Sequence, residues 1–94
     1  MNKLLFAVLL LCFGKVYTQD LENKIYEATE VFNSIRSEAA LEALNIKIVN
    51  FKANIKTEDE HFAFINLLLN KGYYLDKNNK QKQAIATYED AWMR

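Results

Sequence analysis

Chemistry in a short chain needs a nucleophile, a base or a metal ligand, so the first question is where such groups cluster. His61 is the only histidine and follows Glu58, Asp59 and Glu60 directly. Glu58, Asp59 and His61 could in principle hold zinc, but side chains on consecutive helical residues splay around a turn rather than converge on one point. The string also lacks the two histidines, four residues apart, of a metalloprotease helix. Paired carboxylates recur at Glu58/Glu60 and Glu89/Asp90, as general acid–base chemistry asks, yet nothing in the surrounding sequence builds a pocket around them. Ser34 and Ser37 have no histidine nearby to relay a proton, and no glycine-rich phosphate loop exists. The expectation is therefore no catalytic residue, no cofactor, no metal and no enzyme. Charged residues are read as a solvated face.

Cys12 bears on the same question through its position. Residues 1–18 have the layout of a secretory signal peptide: Lys3 at the start, an unbroken apolar run from Leu4 to Phe13, Gly14 as a breaker, then Val16-Tyr17-Thr18. The apolar run is about half the length a membrane-spanning helix needs. Cleavage is expected between Thr18 and Gln19, giving an exported protein, periplasmic or secreted. An uncleaved leader is the alternative and the only expected membrane contact. Cys12 lies inside the leader, so the exported form would carry no thiol and no disulfide. A lipoprotein signal asks for small residues before its cysteine, where Leu10 and Leu11 are bulky.

The elements that would position any site read as helices. There is no proline, and the two glycines are Gly14 and Gly72, which leaves nothing to supply tight hairpin turns between strands. The expected fold is all-α, with about four helices in antiparallel hairpins after the leader. Leu21, Ile25, Ala28, Phe32 and Ile35 form one stripe at helical spacing, predicting a helix from about 20 to 36. Leu41, Leu44, Ile48, Phe51 and Ile55 do the same for 38–55, with Ser37 as N-cap. Ile46 and Val49 widen that helix's apolar surface and predict that it is sandwiched between neighbours.

Thr57-Glu58-Asp59-Glu60 has the spacing of a capping box and starts a third helix. Phe62, Ile65, Leu68, Leu69 and Gly72 form its expected inner side, and it should end near Leu75. The polar turn 76–79 leads to a fourth helix over about 80–93, with Ala84, Ile85, Tyr88, Ala91 and Trp92 facing inward. One of Tyr73 and Tyr74 should be buried and the other exposed. The two hairpins, 19–56 and 57–94, are nearly equal in length, as in a repeat array.

The second hairpin resembles a tetratricopeptide repeat (TPR). That pattern, roughly 34 residues long, asks for a large apolar residue where Leu68 stands, small ones at Gly72, Ala84 and Ala91, and an aromatic at Tyr88. Leu75 departs from it, standing where an aromatic is usual, and Lys71 occupies a commonly apolar position. The first hairpin lacks the small–aromatic–small triple and would be a divergent repeat or a cap. The resemblance implies a protein or peptide partner held on the surface of the hairpins, with Asn66, Asn70, Tyr73 and Tyr74 as the partner-facing residues.

Charge agrees with a protein partner. The leader holds two of the 12 basic residues, leaving 10 against 12 acidic ones, interspersed throughout. No basic face accumulates for nucleic acid or an anionic membrane. With no capping helix expected after Trp92, a rival reading is the amino-terminal piece of a larger exported TPR protein, whose effector, such as a CHAT-type peptidase or a sensor kinase, lies beyond Arg94.

Overall fold

A computed structural model describes residues 20–94, and the leader expected over 1–18 lies outside the described residues. The described chain is all-helical. Helix α1 covers 20–35, α2 Glu38–Asn54, α3 Glu58–Lys77 and α4 Gln81–Trp92.

Each boundary has a local cause. Arg36 takes the left-handed conformation, with φ 42°, and ends α1. That geometry strains a residue bearing a Cβ by about 1 kcal/mol. Ser37 then caps α2, its hydroxyl accepting from the Ala40 amide at 3.1 Å. At the α2–α3 junction Ile55 turns extended, and Thr57 and Glu60 close a full capping box. The Glu60 amide donates to the Thr57 hydroxyl at 3.2 Å, while Glu60 Oε1 accepts from the amides of Thr57 at 3.0 Å and Lys56 at 2.7 Å.

Helix α3 runs two residues past its expected end. The turn is confined to 78–80, where Asn79 adopts φ 62° and the Lys80 amide returns to the Leu75 carbonyl at 2.9 Å. Asparagine tolerates the left-handed region better than Asp76 or Lys77 would, so the chain reverses there. The Asn78 side-chain amide donates to the Tyr74 carbonyl at 2.8 Å and satisfies one of the carbonyls the helix end leaves free. Lys80 at the start of α4 makes no side-chain cap.

The helices stack as two hairpins with α3 at the centre. Phe64, Leu67 and Leu75 of α3 are completely enclosed, joined by Ile25, Ala28 and Phe32 from α1 and Leu41, Leu44 and Phe51 from α2. Helix α4 lies close along α3 and contributes only small buried residues: Ala84, Thr87 and Ala91. Between the hairpins, α1 and α3 run side by side in the same direction. Asn33 bonds Asn70 and, three residues further along each segment, Arg36 just past the end of α1 lies over Tyr73 of α3. Phe32 meets the Tyr74 ring edge-on, with centroids 5.2 Å apart and an interplanar angle of 81°. At the same end, Lys80 Nζ reaches Glu38 Oε2 at 2.7 Å, tying the N-terminus of α4 to that of α2.

Several core assignments are corrected. The sandwiched α2 is overturned: Ile46 is 74% exposed and Val49 72%, because only the Leu41–Leu44–Phe51 side meets other helices. Ile35 and Ile85 also face outward, and Trp92 is 90% exposed. In α3 the phase of the buried stripe differs from the expected one. Phe62 and Leu69 are exposed, whereas Ala63, Phe64 and Leu67 are buried. Apolar residues occur almost all round this helix, so periodicity alone could not choose the inward arc. The neighbouring helices choose it.

Candidate interaction surface

Among the residues first suspected of chemistry, Glu60 is engaged otherwise. Glu60 is buried, and its carboxylate is committed to backbone amides. Hydrogen bonds from the Lys56 and Thr57 amides hold its carboxyl below the ordinary value of 4.5, against the opposing effect of burial. Folded into a helix cap, that carboxylate is not free to serve as the acid–base partner of Glu58. His61 itself is half-buried, and its Nδ1 has no hydrogen-bond partner among the described residues.

The six residues that carry the repeat pattern gather where α3 meets α4. Leu68, Leu75, Ala84 and Ala91 are buried there. Gly72 lies beneath the Tyr88 ring so closely that a Cβ would sit 2.5 Å from Tyr88 Cε1. The absent side chain is thus what lets the aromatic ring lie flat against the backbone of α3. Lys71, the departure from the pattern, is half-buried. Loss of water lowers its amine pKa, and the nearby Asp90 carboxylate opposes that effect. Asp90 Oδ1 is also 3.4 Å from Arg94 Nε, and the Arg94 guanidinium covers the Phe64 ring at 4.7 Å.

A different grouping lies open on the face shared by α1 and α3. Its core is a ladder of amides crossing from one hairpin to the other. Asn33 Nδ2 donates to Asn70 Oδ1 at 3.0 Å, and Asn70 Nδ2 donates to the Asn66 carbonyl at 2.7 Å. At the end of the ladder a guanidinium nitrogen of Arg36 stands 3.5 Å from Asn33 Oδ1. Beside it, the half-exposed Tyr73 ring is flanked by two cations, Arg36 at 5.7 Å and Lys77 at 5.5 Å from its centroid.

Of the four partner-facing residues expected from sequence, Asn66, Asn70 and Tyr73 lie on this face. Tyr74 does not. It is 7% exposed and packed against Phe32, because the residue next to an exposed helical position points about 100° away from it. Sequence reasoning missed Asn33, Arg36 and Lys77. One signal was available for Lys77: Asn66, Asn70, Tyr73 and Lys77 recur at i, i+4, i+7 and i+11, a polar stripe on one side of α3.

The chain matches no family model, no curated protein and no solved structure.

Proposed function

We propose that this chain is an exported, tetratricopeptide-like interaction module without catalysis of its own, which holds an extended protein or peptide segment across α1 and α3. The observation that carries the reading is the amide ladder Asn33–Asn70–Asn66 with Tyr73 between Arg36 and Lys77. Asparagine amides offer both donors and acceptors, the pairing that a peptide backbone presents. Arg36 and Lys77 favour a carboxylate at that end, an acidic side chain or a free carboxyl terminus, and Tyr73 supplies an apolar surface for the neighbouring residue. The Gly72–Tyr88 contact and the buried Ala84 and Ala91 support the tetratricopeptide-like character of the second hairpin. Export rests on the leader in residues 1–18 and is tested by the N-terminal sequence of the protein recovered outside the cytoplasm, expected to begin at Gln19.

The binding test is a fluorescence-anisotropy titration with labelled extended peptides, each offered with a free and with an amidated carboxyl terminus. Acidic or free-carboxyl peptides should bind, and Arg36→Glu should weaken them at least about tenfold, the effect of one charge-assisted hydrogen bond. Equal binding of all peptides by the parent chain and Arg36→Glu would remove this face from the mechanism.

A further inference from the structure

The two ends of the helical stack each carry an apolar surface that the other described residues leave uncovered. On α4, Tyr88, Trp92 and Met93 line one open patch of about 470 Å³ together with Glu89, and Ile85 continues it one turn earlier. At the opposite end, α1 and α2 enclose a groove in two adjoining parts, of about 280 and 100 Å³. Ala28 and Val31 form its floor throughout, Phe51 closes the end nearer the start of α1, and Lys47 stands on the rim of both parts. The larger part has room for one or two bulky side chains and falls short of the roughly 300–1,000 Å³ of a small-molecule pocket.

We propose that the occupant of this groove is α4 of a second copy of the chain, so that molecules join head to tail with Trp92 and Met93 inserted between α1 and α2 of the next. Three observations select this occupant. First, the surfaces are different and complementary: a protruding indole and thioether on one, a groove with an aromatic end on the other. Second, one charge pair is available across the contact, Glu89 beside the α4 patch with Lys47 on the groove, whose larger part Lys24 and Glu27 also line. Among the described residues neither Glu89 nor Lys47 has an ion-pair partner. Both lie about two and a half turns from the N-termini of their helices, so they meet when α4 and the next copy's α2 run in the same direction. Third, that direction is already used inside the chain, where α1 and α3 are parallel and Lys80–Glu38 joins the N-termini of α4 and α2. Repeating the same step between molecules brings Trp92 level with Phe51 and Ile85 level with the Val31 end of the groove. A contact between two different surfaces does not close on itself and propagates into open chains.

The sole tryptophan in the sequence is the reporter for this contact. In the full chain, Trp92 emission should move to shorter wavelength as concentration rises, in step with growth in sedimentation velocity. Val31→Glu spoils the groove and keeps Trp92, whereas Trp92→Glu spoils the plug and keeps the groove. Each variant, with helix content checked by circular dichroism, should sediment as a monomer. Mixing them should yield a 1:1 dimer that grows no further, with the blue shift restored, since all the tryptophan signal then comes from Val31→Glu entering the partner's intact groove. The proposal fails if the parent chain stays monomeric with unshifted emission at every concentration. It also fails if association survives in both variants, or if Val31→Glu alone still dimerises through its α4 patch.

Discussion

At the α3–α4 contact Gly72 lies against the Tyr88 ring, and that pair makes a prediction whose sign can be reversed. Glycine inside a helix is about 1 kcal/mol worse than alanine, so Gly72→Ala should stabilise α3 if nothing opposed it. A methyl group 2.5 Å from the Tyr88 ring forces that ring outward, and overpacking of this kind costs about 1–3 kcal/mol. Gly72→Ala alone should therefore destabilise by about 1 kcal/mol in urea melts. In a Tyr88→Ala background the same change should stabilise by about 1 kcal/mol, a coupling of about 2 kcal/mol. Glu60 makes a second residue-scale prediction. Its folded pKa is lowered, so the stability it contributes is present above the unfolded value near 4.5 and is lost as pH falls through the lower folded value. Thermal melts between neutral and acidic pH should show the parent losing more stability across that window than Glu60→Gln, which has no charge to lose. At neutral pH that variant should be weaker by about 1 kcal/mol, as expected for a damaged cap.

Among the elements, what could be read in advance was set by local chemistry, and what could not was set by neighbours. The capping box at Thr57 and Glu60, the Ser37 cap and the absence of proline place all four helices to within about two residues. Those signals act over three or four residues and are visible without the fold. The inward arc of α3 is another matter. Phe62, Phe64, Ile65, Leu67, Leu68 and Leu69 point in nearly every direction, and only the positions of α1, α2 and α4 decide that Phe64 and Leu67 are enclosed while Phe62 and Leu69 are not. Ile46 and Val49 show the same limit, since an apolar residue on α2 does not bring a neighbour to cover it. Small buried residues proved more informative than large ones, because a helix face lined by Ala84, Thr87 and Ala91 invites close approach. Ala84→Leu tests that contact. It should lower stability by about 1–3 kcal/mol through overpacking, and an unaltered urea midpoint would contradict the close packing of α4 on α3.

At the scale of the whole molecule, the arrangement that matters most is the parallel placement of α1 and α3, which makes one surface from two hairpins. Half of that surface was legible: Asn66, Asn70 and Tyr73 share a helical stripe with Lys77. The other half, Asn33 and Arg36, could not be paired with it from sequence, because a separation of 37 positions between Asn33 and Asn70 reveals nothing of their adjacency until the hairpins are stacked. The proposed peptide-holding role, the amide ladder and the Arg36–Tyr73–Lys77 cluster all require that adjacency. Cross-linking measures it directly. In a Cys12→Ser background, the paired substitutions Asn33→Cys and Asn70→Cys place thiols where two side chains now meet at 3.0 Å. A short bifunctional thiol reagent should then join them rapidly within a single molecule, at a rate independent of protein concentration and with helix content unchanged. Failure to link, or links formed only between molecules, would contradict the side-by-side packing of α1 and α3 and the binding surface built on it.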